Sequence, residues 1–348
     1  MSTTLPSLTE VIDQAFMSTW YTIRPDVMDN ITESNVVWAA LKGAGCLKTQ
    51  VGERFITREV SYGVESTKAV AKGDTFSQGE TEYDTMAMWN WRYESAHVQR
   101  SIFDDQINNG KKKIKDLVQR RLTKAREALN TTFESNLFRA LTVGEGGKSM
   151  QGLNDLIPPY DATPNASQGT YGKLNRAAAL TADSATNVYS GSGANGWWSP
   201  KYKALTTPIE VNLLSDMKTL YNSVGNNQEF PNLIITDQYL YELYEDFVDD
   251  KTQIVIDEST KLANLGFEVL RFRGKPFVWT PNSVGASSKH QMLMVNTNYV
   301  DIVYDPSMWF SMSPWKDIPL QGERIAHIFC ACNMVGNQAR RHGRLFES

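Results

Sequence analysis

Three residues near the end of the chain have side chains that could bind a metal: His327, Cys330 and Cys332. On an extended strand, residues 330 and 332 point to one face and residue 327 points to the other. The three side chains therefore cannot converge on one ion without a β-bulge. The pattern instead predicts a buried apolar strand with two small thiols. No metal site is expected here.

Gly147, Lys148 and Ser149 match the end of a phosphate-binding loop. The full pattern requires a glycine at position 142, where this chain has Thr142, and it requires a strand before the loop and a helix after it. In this chain a helical pattern precedes the glycines instead. A nucleotide-hydrolysing enzyme that uses residues 144–149 is therefore only an alternative interpretation, and no cofactor is predicted.

A third group, Asp246, Asp249 and Asp250, could hold a cation. These residues lack the alternating acidic register of a calcium-binding loop, so the solvated end of a helix is the better interpretation. The Gly-x-Ser-x-Gly motif of serine hydrolases does not occur in the sequence. No catalytic residue or metal ligand is predicted from any of these groups.

The charge of the chain is nearly balanced overall but uneven locally. Its 35 Lys and Arg against 39 Asp and Glu give a formal net charge of −4, which does not indicate a free nucleic-acid-binding protein. Residues 111–126 hold eight basic side chains and one acid, whereas residues 237–258 hold eight acids and one base. These segments either are solvated helix faces or present opposite fields on different surfaces. Three cysteines argue against a disulfide scaffold and for a reducing compartment, and no apolar run approaches the ~20 residues of a membrane span.

From Glu53 onward, apolar and polar residues alternate with the period of a β-strand. Residues 63–80 are polar and rich in glycine, and the alternation resumes after them, which predicts a long β-hairpin with a polar tip. The second strand carries an aromatic row on one face, formed by Trp89, Trp91 and Tyr93. Since such a hairpin cannot bury both faces by itself, we expect this row to contact another subunit. The alternative is that the row packs on the chain's own helix.

The longest predicted helix spans residues 111–141. Its apolar stripe consists of Ile114, Val118, Leu122, Ala125, Leu129, Phe133 and Leu137. Lys113, Arg120 and Lys124 form a separate basic stripe on the opposite side. This basic stripe could contact DNA, an acidic scaffold protein or the acidic segment 237–258 of another subunit, or it could be a solvated face.

The remaining residues divide into two patterns. Residues 158–205 are polar and irregular in pattern, which is typical of a functional loop. From Thr207 onward, helical and strand patterns alternate, and Asp237 stands where it can cap the helix that follows a short buried strand. A last alternating segment runs from Arg324 to Met334 and predicts a long closing strand.

In this order, the elements resemble the major capsid proteins of tailed phages, which have the Hong Kong 97-type fold. The resemblance covers nearly the whole chain and is carried by the order of elements together with short sequence phrases. The phrases are SIFDD (101–105), GL (152–153), GTYGKLNR (169–176), WW (197–198), NLIITD (232–237), LGFEVLRFRGKPFV (265–278) and NQARRHGRL (337–345). The implied α+β fold has an N-terminal arm (1–50), an extended loop formed by the hairpin (51–103), a peripheral domain with the spine helix and the polar insertion (104–205), an α/β axial domain (206–310) and a closing strand of the peripheral domain (311–348).

The resemblance implies a structural protein without enzymatic activity. It implies a major capsid protein whose hexamers and pentamers assemble into an icosahedral shell around double-stranded phage DNA. The expected partners are further copies of the chain, a separate scaffolding protein, a portal and non-specifically contacted packaged DNA, with no membrane. The expected location is the virion, after assembly in the host cytoplasm. An encapsulin-like nanocompartment shell is the alternative within the same fold.

The resemblance also bears on two sets of residues. In the resembled family the spine helix lies towards the inner side of the shell, which favours scaffold protein or DNA as the partner of Lys113, Arg120 and Lys124. Some members join a hairpin lysine to an asparagine of a neighbouring subunit. The candidates for such a crosslink, although no motif marks any of them, are Lys68, Lys72, Asn333 and Asn337.

Overall fold

In the computed structural model, the chain folds around two mixed β-sheets of six and eight strands. The structure describes residues 14, 17–19, 36–63, 69–74, 82–101, 111–139, 148–161, 170–176, 180–192, 196–226, 229–249, 270–281, 289–319 and 322–347. Most of the predicted N-terminal arm therefore lies outside the described residues. Among the described helices, none combines the length and the hydropathy that a membrane crossing requires.

The helices of the described residues are α1 (Val36–Gly43), α2 (Lys111–Phe138), α3 (Leu153–Leu156), α4 (Ile209–Val224) and α5 (Gln238–Asp249). The strands are β1 (Leu47–Thr49), β2 (Phe55–Ser61), β3 (Asp84–Asn90), β4 (Arg92–Ser101), β5 (Thr170–Tyr171), β6 (Leu174–Asn175), β7 (Leu180–Ala182), β8 (Val188–Gly191), β9 (Lys201–Ala204), β10 (Leu233–Thr236), β11 (Leu270–Phe272), β12 (Lys275–Trp279), β13 (Gln291–Val295), β14 (Val300–Tyr304), β15 (Ser311–Met312), β16 (Lys316–Asp317), β17 (Glu323–Gly336) and β18 (Gly343–Phe346).

The six-stranded sheet is built on β17, which confirms the predicted closing strand. β4 pairs antiparallel with β17 along one side, while β14, β15 and β16 pair with the other side and β1 adds in parallel to β14. The thiols of Cys330 and Cys332 are buried on one face of β17, with their sulfur atoms 4.0 Å apart. The predicted buried strand with two thiols is therefore confirmed.

The spine helix α2 buries its apolar stripe in the core of this sheet. Leu122, Leu129 and Leu137 are almost fully buried there. Phe133 packs edge-on against Trp38 of α1, with ring centroids 5.8 Å apart. The predicted stripe is confirmed from Leu122 onward, because the side chains at positions 114 and 118 lie outside the described residues. Helix α2 ends at Phe138, and the glycine-rich residues 140–147 also lie outside.

The eight-stranded sheet has the order β11-β12-β10-β13-β18-β9-β8-β7. Every residue of β10 and β13 is buried, as expected for central strands that are covered on both faces. Helices α4 and α5 supply apolar residues to its core, including Leu213, Leu220 and Leu240. Asp237 caps α5, since its Oδ1 accepts a hydrogen bond from the backbone N–H of Leu240 at 2.9 Å. The predicted cap is thus confirmed.

The prediction that residues 158–205 are irregular is wrong for their second half. β7, β8 and β9 extend the eight-stranded sheet, and β9 pairs in parallel with β18 near the end of the chain. Short strands of this kind have little pattern of their own, and here a distant strand provides the pairing partner. β18 also pairs with β13, which lies inside the predicted axial domain, so this sheet joins segments that were assigned to different domains, and the division into domains stays a prediction.

Candidate assembly surfaces

Strands β2 and β3 form the base of the predicted hairpin, paired antiparallel from Phe55↔Asn90 to Ser61↔Asp84. Of the residues between them, 64–68 and 75–81 lie outside the described part of the chain. The structure therefore confirms the two strands and describes only residues 69–74 of the tip.

The predicted aromatic row of Trp89, Trp91 and Tyr93 does not form one continuous face. β3 ends before Trp91, and β4 begins after it in a different sheet. Trp89 is 2% exposed and Tyr93 is 59% exposed. Trp91 is half-buried between them, and its Nε1 donates to the backbone carbonyl of Glu53 at 2.8 Å. The expectation of a single row is wrong because the chain changes its pairing partner at Trp91.

Trp89 is covered by part of residues 158–205 of its own chain, a segment that we call the polar insertion. Its ring packs edge-on against Tyr171, with centroids 5.4 Å apart and an interplanar angle of 68°. Gly172 has a φ of +57°, and a Cβ at this position would lie 2.7 Å from Cζ2 of Trp89. The carbonyl of Gly172 also accepts the backbone N–H of Met88 at 2.9 Å. Only glycine fits this close approach, so the β5–β6 hairpin closes the inner face of β3.

The insertion also holds the other strand of the hairpin. Trp197 stacks on Tyr62 just beyond β2, with centroids 4.8 Å apart and planes 16° apart. The ammonium group of Lys173 lies 3.9 Å from the ring centroid of Phe55, which is a cation–π geometry. Sequence reasoning missed this role. A local signal for a tight turn was present in the Gly172-Lys173 pair, and in the structure both residues have positive φ values.

An ionic cluster anchors β2 to the six-stranded sheet. The Asp301 side chain on β14 is 4% exposed, and its carboxylate lies 2.9 Å from the Lys48 ammonium and 3.4 Å from Nε of Arg58. The cluster therefore joins β1, β2 and β14. Burial, together with the nearby Asp301 charge, raises the pKa of the Cys46 thiol to about 12. That thiol stays protonated, which suits a packing residue and not a nucleophile.

Part of the hairpin surface remains apolar and exposed. Met86 on β3 is 56% exposed, Tyr83 just before β3 is 42% exposed, and Val70 in the tip is 46% exposed. Met86 alternates with the buried Ala87, so it lies on the face of β3 that the polar insertion does not cover. Exposed apolar side chains grouped on one element are typical of a protein–protein contact.

The basic stripe is exposed, as a stripe outside the core must be. Arg120 and Lys124 are both exposed, and the Lys124 ammonium pairs with Glu127 one turn away at 2.6 Å. The side chain of Lys113 lies outside the described residues. Arg120 and Lys124 border a groove of about 450 Å³ between α2 and β4. Arg120 and Lys124 therefore lie beside the six-stranded sheet, at the rim of that groove.

The two asparagines proposed for a crosslink have different surroundings. Asn333 is fully buried; its Nδ2 donates to the carbonyl of Asn90 at 2.9 Å, and its Oδ1 accepts the backbone N–H of Gln151 at 3.0 Å. Asn333 is therefore not presented to a neighbouring subunit, whereas Asn337 is only half-buried. Covalent crosslinking stays a prediction, with Asn337 as the remaining acceptor. Of the hairpin lysines, Lys72 is exposed and Lys68 lies outside the described residues.

Charged and titratable groups inside the eight-stranded sheet serve its packing. Lys203 on β9 and Asp216 on α4 form a buried ion pair at 3.2 Å. Burial, with a smaller effect of the Arg176 charge, lowers the pKa of His342 to about 3. The neutral imidazole accepts the backbone N–H of Asn296 at its Nδ1, at 3.2 Å. These groups lie in the interior and form no solvent-facing site.

The fold is that of solved capsid chains. One similar structure is the cyanophage A-1(L) capsid asymmetric unit, with a TM-score of 0.55 and 14% identity over 88% of this chain and 91% of that one. Another is the capsid of the native GTA particle computed with C5 symmetry, with a TM-score of 0.56 and 9% identity over 89% of this chain and 90% of that one. No protein-family model and no curated protein matches the sequence. The chain has the α+β Hong Kong 97-type capsid fold, and that prediction is confirmed.

Proposed function

We propose that this chain is the major capsid protein of a tailed phage, a structural protein without enzymatic activity. Its copies assemble as hexamers and pentamers into an icosahedral shell that encloses double-stranded DNA. The capsid fold over nearly nine-tenths of the chain supports this proposal. The shell belongs to the virion and assembles in the host cytoplasm with a separate scaffolding protein and a portal.

The hairpin is the observation that carries the proposal. Its inner face is closed within the subunit by Trp89, Tyr171 and Gly172, while Met86 and Tyr83 remain exposed. A lone subunit gains nothing from an extended element with exposed apolar side chains. In a closed shell, each copy offers the same segment to the next copy around a symmetry axis, so every such surface becomes covered.

Of the aromatic residues predicted to meet a neighbour, Tyr93 fits the role best because most of its side chain is exposed. Trp91 is half-buried and joins the hairpin base to Glu53, so it supports the hairpin and contributes a partial surface. Trp89 belongs to the subunit interior. We therefore assign the inter-subunit contact to Met86, Tyr83 and Tyr93, and a partial contribution to Trp91.

The basic stripe of Lys113, Arg120 and Lys124 is proposed to face the inside of the shell. The exposure of Arg120 and Lys124 supports a contact with a polyanionic partner, either the scaffolding protein or packaged DNA. Replacing all three residues by glutamine should reduce the salt-dependent affinity for that partner. Heads that assemble, package DNA and resist salt like the wild type would instead show a solvated helix face.

The test is to isolate particles formed by the full chain, treat them with nuclease and image them by electron microscopy. We expect closed polyhedral shells, and in particles from an infected culture we expect protected DNA of genome length. Shells that protect no genome would favour the nanocompartment alternative. A small species that hydrolyses nucleotides and never forms particles would contradict the proposal.

A matched pair of variants makes the test specific for the hairpin. Met86→Glu places a charge on the exposed face of β3 and should prevent closed shells while leaving the subunit folded. Lys218→Glu also changes an exposed residue, but on α4 of the eight-stranded sheet, and serves as the control. Equal assembly of both variants would remove the hairpin from the proposed contact.

A further inference from the structure

Within the part of the chain that the structure describes, the outer side of β4 is an open sheet edge. β4 pairs with β17 over ten residues, and no strand among the described residues pairs with its other side. Edges of this kind present unpaired backbone groups and are normally shielded or used for pairing. The direction of the backbone groups on β4 therefore decides what the edge can bind.

Hydrogen bonds on β17 fix that direction. The His327 carbonyl accepts the backbone N–H of Ser313 at 2.7 Å, on the side of β17 away from β4. His327 lies opposite His97 in the antiparallel register. Because the backbone groups of His327 point away from β4, His327 and His97 form a non-hydrogen-bonded pair. The N–H and C=O of His97, and by alternation those of Ser95, consequently point to the open edge. The Arg121 side chain confirms this direction, because its Nη1 donates to the outward carbonyl of Gln99.

A groove of about 450 Å³ runs between this edge and helix α2. It is lined by six consecutive residues of β4, 94–99, which span about 17 Å at the rise of an extended strand. Among these six, Val98 is buried, and the buried side chains of Ala125 and Leu129 on α2 also line the groove. The groove therefore combines a row of backbone hydrogen-bonding groups with an apolar wall.

The rim of the groove is positively charged. Arg120, Arg121 and Lys124 of α2 line it, and among the described lining residues Glu94 is the one acid. The Glu94 carboxylate is held by the protein, since its Oε1 accepts from Nδ2 of Asn136 at 2.8 Å and from the backbone N–H of Met150 at 3.1 Å. Lys124 pairs with the exposed Glu127, and an exposed pair of this kind breaks easily. The rim thus favours an anionic occupant.

We infer that this groove binds an extended acidic segment of a separate protein, which adds to β4 as a further strand. The open N–H and C=O groups suit a peptide backbone, the apolar wall suits every second side chain, and the basic rim suits acidic side chains between them. A DNA backbone has no donors for the edge carbonyls. Binding is a property of the single subunit, and a role of the partner in shell assembly rests on the proposed function.

The acidic segment 237–258 of a second copy of this chain is a poor candidate for binding in the groove. The described part of that segment is α5, which buries Leu240, Tyr241 and Tyr244 against its own sheet. A second copy could not release this helix as an extended strand without losing that packing. The described part of the acidic segment therefore does not supply the extended acidic strand that the groove fits, and we assign that strand to another protein.

The test measures peptide binding to the purified, unassembled full chain by fluorescence anisotropy. The probe is a short fluorescein-labelled peptide of alternating Glu and Val. We expect it to bind, and to bind more weakly as salt is added. A Glu–Pro peptide built from alternating Glu-Glu and Pro-Pro pairs keeps acidic charge but loses N–H donors on both edges of an extended strand, and we expect it to bind at least about tenfold more weakly. A peptide of alternating Lys and Val should not bind.

Two variants locate the binding. Ala128→Trp fills the groove without changing charge, and Arg120→Glu with Lys124→Glu reverses the rim. Each should weaken binding of the Glu–Val peptide by about tenfold or more, whereas the distant Lys218→Glu should leave it unchanged. Circular dichroism spectra and thermal melts check that the variants fold. If Ala128→Trp does not fold, the rim variant alone decides the question.

Absence of Glu–Val binding would overturn the inference, as would equal binding by the Glu–Pro peptide or by both groove variants. Displacement of the peptide by a duplex DNA oligonucleotide that binds more tightly would assign the rim to DNA and would also overturn it. Because the assay uses unassembled subunits, its failure leaves the shell function untouched. Failure of the chain to form shells would likewise leave the peptide result standing.

Discussion

Strands β3 and β4 follow each other with only Trp91 between them, and they have different surroundings. The inner face of β3 is closed by its own chain, where Trp89 packs against Tyr171 and Gly172. The outer edge of β4 meets no described strand, and Tyr93 near its start is 59% exposed. The same alternating pattern thus gives a closed region where the polar insertion returns to cover it and an open region elsewhere. Closed regions should control the stability of the subunit, and open regions should control its contacts with other chains.

The largest expected effect is on the closed side. Trp89→Ala removes a buried indole and should lower the free energy of unfolding by about 3–5 kcal/mol. Tyr93→Ala, four positions further on, should change it by no more than about 0.5 kcal/mol, because that side chain is mostly exposed. Urea unfolding of the unassembled subunits measures both values. Similar small losses for both variants would remove the distinction between the two strands.

A second variant tests how Trp89 is closed in. Gly172→Ala places a Cβ 2.7 Å from the indole at a φ of +57°, so the ring or the β5–β6 hairpin must move. We expect a loss of about 1–3 kcal/mol in the free energy of unfolding. Gly43→Ala is the matched control, since a Cβ there has no neighbour within 4 Å and its φ is ordinary. A neutral Gly172→Ala would mean that the insertion does not hold the hairpin.

The interior of the eight-stranded sheet extends the comparison to pH. The pKa of His342 is about 3 in the folded chain, whereas an exposed histidine has a pKa of 6.5. Between about pH 3 and pH 6.5, the unfolded chain therefore binds a proton at His342 that the folded chain does not. Stability should therefore fall as pH drops below about 6.5. Relative to His342→Asn, the wild type should lose about 1.4 kcal/mol for each pH unit below 6. Denaturant unfolding of both proteins from pH 6 to pH 4 gives this difference, and parallel curves would contradict it.

The features that could be predicted from the sequence are those whose signal is local. The stripe from Leu122 to Leu137, the alternation of β17 and the cap at Asp237 each depend on neighbours a few positions away. The burial of Trp89 depends on Tyr171 and Gly172, which are distant in the sequence, so nothing near Trp89 distinguishes it from Tyr93. The order of elements led to the fold, but the partners of individual surfaces could not be predicted.

Substitutions on the exposed surfaces should change the free energy of unfolding least. They should change assembly most. Met86 is 56% exposed on the open face of β3, and Ala87 beside it is fully buried. Replacing Met86 by a photo-crosslinking amino acid should therefore leave the free energy of unfolding within about 0.5 kcal/mol of the wild-type value. Urea unfolding of the labelled subunit checks this, and a larger loss would place Met86 in the subunit's own packing.

The most direct test of the account illuminates that Met86-labelled chain in purified particles and in separated subunits, followed by denaturing electrophoresis and mass spectrometry. We expect crosslinked dimers in the particles, each joining two copies of the chain, and none in the separated subunits. This expectation would be contradicted if no particles form from the unlabelled chain, or if the particles contain only crosslinks within one chain.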